Sequence, residues 1–427
     1  MHLPPEGTRI NLAGQFGTVR FAGNVDNTTG VWLGIEWDDP SRGKHDGIKD
    51  SKRYFSCRIQ NAGSFIRPSA VNLSYGRSFL DALVAKYVEP PHGSESQEKV
   101  LLGSSNGTIV VEAVRLDKIR GNLARLERLK EVSLNDEHVA RGDALGTIRS
   151  TCPNIIGLDL SASLLPSWDT VASIASELPN LQRLALNRNR LQPTTNPAFM
   201  QSAFMTLTQV QLNGTMMTWA EMQEVTAYMP GLHLVEMGYN GLVRLQSSTL
   251  SAPLNTTIEV LNLDSNLCSE WGHIYNSLLH YRSLERIILT SNGIGTIPFP
   301  DSVQQLSHSL KHISLSFNKL NAWNDVDALS LWCPGLESLT LSGNPLMSEL
   351  GRHSRPFTIA RIPSLLVLDG AAIATKERTD CELFYLSDVM QHGPGNEEER
   401  IRAHPQWQTL CASMSNVKLL ASFKRRA

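Results

Sequence analysis

Residues 284–292 read LERIILTSN, in which Leu284, Ile287 and Leu289 precede Asn292 at a fixed spacing. The same spacing returns in LQRLALNRN (181–189), LKHISLSFN (310–318) and LESLTLSGN (336–344). The asparagine-type position falls at residues 163, 189, 215, 240, 266, 292, 318 and 344, which lie 26 residues apart with a single step of 25. A constant period of this length indicates stacked repeats, each burying its apolar face against its neighbours.

The repeat also predicts its own internal contacts. Its apolar positions are expected to point into a shared core, and its asparagine is expected to bond backbone groups inside the turn after each short strand. Ser163 and Thr215 hold the asparagine-type position in two copies, where a hydroxyl can still bond the turning backbone. A weaker first copy carries Leu129, Val132 and Leu134.

The pattern L-x-x-L-x-L-x-x-N resembles that of the leucine-rich repeat family. This resemblance implies an α/β solenoid of about nine coils over residues 126–346, with one short strand per coil on the concave side. Between strands, segments such as residues 170–178 carry apolar residues at three- and four-residue spacing and predict convex-side helices. Residues 347–390, which include IPSLLVLDG (362–370), resemble the cap of intracellular members, and residues 391–427 are expected to form a polar tail.

The first 78 residues have a different character. Residues 31–47 read VWLGIEWDDPSRGKHDG, and YFSC (54–57) and GSFIRP (63–68) follow. Glycines punctuate short β-rich runs where tight turns are needed, and aromatic and polar residues stand between them. The three elements resemble, in order, the motifs of the CAP-Gly family, whose loop usually reads GKNDG where this chain has GKHDG (43–47).

The CAP-Gly resemblance implies a small β-barrel-like domain over residues 1–78 that binds protein tails ending in Glu-Glu-Tyr or Glu-Glu-Phe. Such a tail offers carboxylates and one aromatic ring, so its receptor needs cationic and amide donors beside an apolar slot. Residues 1–77 contain ten Lys and Arg against seven Asp and Glu. The residues expected to contact the tail are Trp32, Gly43, Lys44, His45, Asp46, Gly47, Phe65 and Arg67.

Two departures and one open alternative qualify this site. His45 replaces the usual asparagine and predicts sensitivity of binding near pH 6 to 7. Asn27 stands where many members carry an aromatic residue, which predicts a shallower apolar slot. For Trp37 and Tyr54, a role in the core of the small domain is as good an interpretation as a role in the groove.

Length and composition limit the remaining possibilities. A chain of 427 residues predicts two or three domains, and a net charge of −2 gives no indication of nucleic-acid binding. The six cysteines are scattered without a C-x-x-C pair, which favours reduced thiols and a cytoplasmic location. Neither a signal peptide nor a membrane span is expected. Catalytic motifs, metal-ligand spacings and cofactor-binding loops were not found, so we predict a binding protein rather than an enzyme.

A CAP-Gly module joined to leucine-rich repeats resembles the family of tubulin-folding chaperones. The resemblance implies a cytoplasmic, cytoskeleton-associated chaperone that binds α-tubulin and acts with other tubulin-folding cofactors on the α/β-tubulin heterodimer. Residues 79–125 are expected to be a linker that tethers the two modules, and the ubiquitin-like domain of that family is expected to be absent. The alternative is a microtubule-associated adaptor that binds polymer through CAP-Gly and a partner through the repeats.

The outward positions of the repeat are mostly small or polar. Against that background Tyr239, Val260, Ile288 and Phe317 are candidate exposed apolar residues on four successive coils. They predict a protein-binding patch, because exposed apolar clusters often mark partner sites. The alternative is that neighbouring coils shield them.

Overall fold

The computed structural model describes residues 3–88, 100–102, 109–111, 125–246, 256–300, 309–349 and 351–414. The chain divides into two compact units. The first comprises Met1–Thr215 with Tyr228–Gly231, and the second comprises Met216–Ala227 with Leu232–Ala427.

The first unit begins with a small β domain. Its strands are β1 (Arg9–Leu12), β2 (Gln15–Asn24), β3 (Val31–Trp37), β4 (Ile48–Lys49), β5 (Lys52–Arg53), β6 (Gly63–Ile66), β7 (Leu73–Ser74) and β8 (Arg77–Ser78). Five of them form an antiparallel sheet in the order β6-β3-β2-β1-β7, and β4 pairs with β5. Ile10, Val19, Leu33, Ile35 and Trp37 form its core. Trp37 is therefore part of this core, as one of its two interpretations predicts.

The segment predicted as a linker starts with a helix. Helix α1 (Phe79–Tyr87) begins at Ser78, whose side chain forms a capping box with Asp81, and it buries Phe79 and Leu83. Strands β9 (Val100–Leu102) and β10 (Ile109–Val111) pair antiparallel within the same segment. The rest of the predicted linker, residues 89–99, 103–108 and 112–124, lies outside the described residues.

The first coils of the repeat complete this unit. Their elements are β11 (Glu131–Ser133), β12 (Val139–Arg141), α2 (Thr147–Thr151), β13 (Gly157–Asp159), α3 (Trp168–Ala175), β14 (Arg183–Ala185), α4 (Pro197–Ala203) and β15 (Gln209–Gln211). β11, β13, β14 and β15 pair parallel, each in register with the next coil, so that Val132, Leu158, Leu184 and Val210 are neighbours in the buried layer. The predicted helix at residues 170–178 corresponds to α3.

The β domain packs directly on the first coils. β8 pairs parallel with β12, and the amide of Arg77 donates to the carbonyl of His138 at 3.0 Å. The His138 ring lies edge-on to Phe16, with 5.6 Å between ring centroids, and the amide of Leu80 donates to Asp143 at 2.8 Å. The expected tether is therefore wrong for this part of the molecule, because strand pairing fixes the β domain on the coils.

The second unit continues the repeat and ends in a helical cap. Its elements are α5 (Trp219–Thr226), β16 (Leu234–Glu236), β17 (Val260–Asn262), α6 (Trp271–Leu278), β18 (Arg286–Ile288), β19 (His312–Ser314), α7 (Trp323–Trp332), β20 (Ser338–Thr340), α8 (Pro345–Glu349), α9 (Ser354–Arg361), β21 (Val367–Leu368), β22 (Ala371–Ala372), α10 (Thr375–His392), α11 (Glu397–Ala403) and α12 (Trp407–Met414). Strands β16 to β21 are parallel, and β22 turns back antiparallel to β21.

Asparagine side chains bond one coil to the next, as the repeat predicts. Asn318 donates from Nδ2 to the carbonyls of Leu289 and Leu315, both at 2.9 Å. Its Oδ1 accepts from the amides of Asn292 and Ile294, both at 3.0 Å. One side chain thus satisfies four buried backbone groups, and the equivalent bonds recur at other coils.

The two substitutes at the asparagine-type position behave differently. Thr215 donates from its hydroxyl to the carbonyl of Leu212 at 2.9 Å, which confirms the prediction for this residue. Ser163 contributes only its amide, which donates to Oδ1 of Asn189 at 3.1 Å, and its buried hydroxyl has no partner. The prediction for Ser163 is wrong because the shorter side chain makes no hydrogen bond inside the turn.

Each coil bends sharply just before its asparagine-type residue. The preceding residue has a positive φ in both units, at Asp136, Ala162, Arg188, Gly214, Tyr239, Ser265, Ser291, Phe317 and Gly343. Left-handed backbone is disfavoured by about 1–2 kcal/mol for residues other than glycine. The turn is therefore imposed by the coil geometry rather than by the residue that occupies it.

The cap extends beyond the predicted boundary at residue 390. Trp407 and Leu410 of α12 pack with Phe357, Tyr385 and Val389 in one buried cluster. Residues 391–414 are thus part of the fold and not a polar tail, because their aromatic and leucine side chains complete the core of the cap. Residues 415–427 lie outside the described residues.

Candidate peptide-binding groove

The GKHDG loop needs its glycines for two different reasons. Gly43 follows a 3-10 helix at Pro40–Arg42, and a Cβ atom there would lie 1.9 Å from the carbonyl oxygen of Asn61. Gly47 has a φ of 97°, and a Cβ atom there would lie 2.0 Å from the carbonyl oxygen of Phe55. Neither position accommodates a side chain, so both glycines shape the loop and neither lines the groove.

The loop is held against strand β6 by its backbone. The amide of Lys44 donates to the carbonyl of Gly63 at 2.7 Å, and the amide of Gly63 donates to the carbonyl of His45 at 2.7 Å. These bonds fix the directions in which the side chains of Lys44 and His45 point. Lys44 and His45 consequently both line the same cavity as Phe65 of β6.

A groove of about 570 Å³ opens beside this loop. Its lining residues are Val25, Thr28, Trp32, Trp37, Arg42, Lys44, His45, Ile48, Lys49, Ser64, Phe65 and Ile66. Three of these side chains are cationic, none is a carboxylate, and most of the others are apolar or aromatic. A binding site of this composition suits an acidic peptide end that also carries a ring.

Arg67 and Trp32 form one edge of the β domain beside the groove. The Arg67 guanidinium lies 3.6 Å from the centroid of the Trp32 ring and donates to the carbonyl of Thr29 at 2.7 Å. The Trp32 indole donates to the hydroxyl of Thr28 at 2.9 Å. Trp32 lines the groove, whereas Arg67 does not and instead supports the Trp32 ring from outside.

Asp46 has a supporting role as well. Its carboxylate pairs with Arg53 at 2.9 Å, and that hydrogen bond lowers the pKa of Asp46. The Arg53 guanidinium also bonds the carbonyls of Asp46 and Phe55, at 3.0 and 3.3 Å. The pair closes the loop onto the YFSC segment and does not line the groove.

His45 is held as a hydrogen-bond acceptor. Its Nδ1 accepts from the amide of Gly47 at 3.0 Å, and its ring lies against Phe65, with 5.1 Å between centroids. Burial is the main cause that lowers the pKa of His45, and Lys44 lowers it further. The lowered pKa favours the neutral imidazole, and the sensitivity of binding near pH 6 to 7 stays a prediction.

Sequence reasoning missed two of the three groove cations. Arg42 precedes Gly43 and stacks on Trp37, with 4.1 Å from its guanidinium carbon to the ring centroid. Lys49 follows the loop on β4. Their proximity to the GKHDG motif was the sequence signal that could have identified them.

Tyr54 is half-buried, and its hydroxyl accepts from the amide of Asp26 at 2.9 Å.

The structure separates the four candidate patch residues by position within the coil. Tyr239 and Phe317 lie on turns after strands and are 64% and 66% exposed. Val260 begins β17 and Ile288 ends β18, and both are half-buried. Leu234, which was not among the patch candidates predicted from the sequence, pairs in register with Val260.

Nothing in the described part of the chain assembles three His, Cys, Asp or Glu side chains around a common metal position. Cys57 is half-buried, and desolvation raises its pKa to about 11, so its thiol is protonated at neutral pH. Among the described helices, none combines the length and apolarity that crossing a membrane requires.

Comparison with known proteins identifies the family. The model of the CAP-Gly domain matches residues 6–71. Tubulin-specific chaperone E of Bos taurus is 34% identical over 427 residues, an alignment that covers 95% of this chain and 78% of that protein. The chain belongs to the tubulin-specific chaperone E family.

Other members of the tubulin-specific chaperone E family agree. The Homo sapiens protein is 33% identical, over 95% of this chain and 78% of its own length. Tubulin-folding cofactor E of Arabidopsis thaliana is 28% identical, over 94% and 76%. Among solved structures, the leucine-rich repeat-containing protein LegL7 from Legionella pneumophila aligns with 61% of this chain and 92% of its own, at 14% identity and a TM-score of 0.40.

Proposed function

We propose that this protein is a tubulin-folding chaperone that holds α-tubulin by its acidic C-terminal tail in the groove beside the GKHDG loop. Acting with other tubulin-folding cofactors, it assists assembly and disassembly of the α/β-tubulin heterodimer. Family membership supports the tubulin-folding role, and the groove supports the contact with an acidic tail.

The observation that carries the tail contact is the set of charges around the groove. Arg42, Lys44 and Lys49 line it without any carboxylate among them. The nearby acids are engaged elsewhere, since Asp46 pairs with Arg53 and Asp39 caps Ser41. Lys49 pairs with the exposed Asp50 at 3.8 Å. An acidic peptide therefore meets a net positive charge, carried mainly by Arg42 and Lys44, over an apolar floor that includes Phe65 and Trp32.

The mechanism is binding without covalent chemistry. Carboxylates of the tail pair with the cations, while its terminal ring enters the apolar part of the groove. Because strand pairing fixes the β domain on the first coils, a bound tail is held at a defined position relative to them. The groove thus restricts where the tethered tubulin body can lie.

A tail-binding measurement tests this function. Full-length chain and a labelled peptide of the α-tubulin tail are titrated, with and without the terminal aromatic residue. We expect Lys44→Ala to weaken binding about tenfold, the scale of a lost charge-assisted contact. Removal of the terminal ring is expected to weaken binding at least as much, because the apolar floor loses its occupant.

Lys52→Ala is the matched control in the same domain. Lys52 pairs with Asp26 at 2.8 Å and does not line the groove, so its loss removes an equal charge without touching the site. Unchanged binding in Lys44→Ala, or an equal loss in Lys52→Ala, would refute the assignment. Gel filtration with tubulin dimer and co-sedimentation with polymer separate the chaperone from the adaptor, since only the chaperone forms a stable complex with free dimer.

A further inference from the structure

Strand β6 is an edge strand of the β domain. It lies at the end of the five-stranded sheet, next to β3. On its outer side the GKHDG loop pairs with Gly63 in the antiparallel direction, through the amide of Lys44 and the carbonyl of His45. The loop therefore covers the outer edge of β6 at Gly63. Exposed edges of this kind are templates on which another chain can add a strand.

Phe65 presents its backbone to the outer edge. In an antiparallel pair the residues alternate between facing the partner strand and facing away from it. The amide of Trp37 donates to the carbonyl of Ala62 at 2.8 Å, which marks a position that faces β3. Ser64 faces β3 in the same way, whereas Gly63 and Phe65 face the outer edge. Among the residues that the structure describes, none bonds the amide or the carbonyl of Phe65.

The groove extends around both faces of this edge. Successive side chains of a strand point to opposite faces of the sheet, yet Ser64 and Phe65 both line the groove. On the face of Phe65 the ring of His45 lies 5.1 Å away, measured between centroids. Trp32 shares this face, because Gly34, two residues later, pairs in register with Phe65. Phe65, His45 and Trp32 are named the aromatic wall below.

The opposite face of the edge carries a cation. Ser64 pairs in register with Ile35, and Trp37 lies two residues after Ile35 on the same face. The guanidinium carbon of Arg42 lies 4.1 Å from the centroid of Trp37. Within the described part of the chain no carboxylate pairs with Arg42, so its charge is available to a ligand. Ser64, Trp37 and Arg42 are named the cationic wall.

We propose that an acidic tail binds as a strand added to the outer edge of β6, antiparallel to it, with its last residue opposite Phe65. This inference rests on the proposed function of the groove. The amide of the last tail residue donates to the carbonyl of Phe65, and the terminal carboxylate accepts from the amide of Phe65. Because side chains alternate along a strand, the terminal ring lies on the aromatic wall and the penultimate carboxylate faces Arg42.

The loop accounts for the direction of the tail and for its end. A strand that runs antiparallel to β6 past Phe65 next reaches Gly63, where the loop already occupies the edge. The tail must therefore end there, with its terminal carboxylate beside the cation of Lys44. The parallel direction is excluded, because it would lead the preceding residues of the tail into the loop.

The backbone bonds are tested with labelled twelve-residue acidic peptides that end in Glu-Glu-Tyr and are titrated into the full chain. Methylation of the last amide nitrogen removes the donor to Phe65, and we expect it to weaken binding about tenfold or more. Methylation of the penultimate amide nitrogen is the matched control, since that N–H faces away from β6 in the added strand. We expect it to change affinity less than threefold, and equal losses from the two methylations would overturn strand addition.

The alternation of side chains is tested by a double-mutant cycle between the protein and the peptide. We expect Arg42→Gln to weaken binding of the unmodified peptide about fivefold and to have no further effect when the penultimate Glu is Gln. A peptide with Gln third from the end should still lose the same factor. Coupling of Arg42 to that third residue instead would overturn the proposed register. Lys52→Gln, outside the groove, should bind every peptide as wild type does.

Strand addition and the groove function fail in different ways. A peptide that does not bind at all refutes the groove function, and strand addition with it. A peptide that binds equally well in all its methylated forms refutes strand addition alone. Hydrogen exchange of the Phe65 amide is an independent measurement, because a new hydrogen bond protects it. We expect saturating peptide to slow that exchange at least tenfold, and unchanged exchange in the saturated complex would also overturn strand addition.

Discussion

At its first coil the repeat is covered by a folded β domain, whereas at its last coil it is covered by helices α8 to α12. The first junction consists of strand pairing and half-exposed polar contacts, such as Arg77 with Glu137 at 3.5 Å. The second is an aromatic core that surrounds the ion pair of Arg361 and Asp327, with side chains 4% and 1% exposed. The stability of the cap should therefore depend strongly on single side chains, whereas the stability of the first junction should depend on them only weakly.

Removal of the buried cation of the cap should have the largest effect. Arg361→Met leaves Asp327 unpaired among apolar groups, where burial already raises its pKa to about 6, so the carboxyl must take up a proton to stay buried. We expect a loss of about 3–5 kcal/mol in unfolding free energy. Urea unfolding followed by tryptophan fluorescence measures it, because Trp323 and Trp407 lie in this region. Adding Asp327→Leu should restore most of the loss, and a double variant as unstable as the single one would contradict this account.

A backbone clash should separate the β domain from the coils at somewhat smaller cost. Gly76 has a φ of 75°, and a Cβ atom there would lie 2.3 Å from the carbonyl oxygen of His138. We expect Gly76→Ala to destabilise the first unit by about 3 kcal/mol and to raise amide exchange in β8 and β12. Gly14→Ala has a similar φ of 85° and open space around it, so it should cost only about 1–2 kcal/mol. Equal effects would show that the junction is not tightly packed.

Acid should weaken the cap through His404. Its Nδ1 lies 2.8 Å from the Tyr385 hydroxyl, and burial, with Arg361 second, lowers its pKa to about 4. Neutral His404 makes its full contribution to the stability of the cap above about pH 6.5. That contribution is lost as pH falls from there to about 4, because His404 binds a proton in the unfolded chain at a higher pH than in the folded one. Allowing for its partial exposure, we expect about 1–2 kcal/mol.

His404→Gln should remove that part of the pH dependence in urea unfolding between pH 4 and 6.5. His392→Gln, at an exposed position on α10, should leave it in place. If the unfolding free energy changed equally with pH in wild type and His404→Gln, the acid sensitivity would have to come from other groups.

The smallest effect is expected at the surface of the first junction. Glu137 pairs with Arg77 and Lys86, at 3.5 and 3.4 Å, and all three side chains are partly exposed. Glu137→Gln should therefore cost less than about 1 kcal/mol in thermal unfolding. A loss above 2 kcal/mol would mean that polar contacts, and not strand pairing, hold the β domain in place.

Periodic features of the fold were predictable from the sequence, because each repeated residue makes a repeated contact. Leu184, Leu289 and Asn318 occupy the core and turn positions that the 26-residue period assigns to them. The pairing of β8 with β12 was not predictable, since it joins residues about 60 positions apart through backbone groups that leave no side-chain pattern. Helix α12 was missed because its tryptophan and leucine lie among polar residues.

The groove was predictable in its location and less so in its details. Motif resemblance identified Lys44, His45, Trp32 and Phe65, which the structure places around one cavity. It could not distinguish these from residues that the motif carries for shape, such as Gly43. That distinction depends on how close other backbone segments approach, which only the three-dimensional structure shows.

The left-handed residue before each asparagine contributes its backbone to the coil, while its side chain is free to vary. Glycine, alanine, serine, aspartate, arginine and two aromatic residues all occur there within this one chain. A substitution at such a position changes what the surface presents without altering the leucine core or the asparagine hydrogen bonds. Related chaperones could therefore diverge in partner choice through these positions one residue at a time, and a designed library confined to them would sample new specificities on an unchanged scaffold.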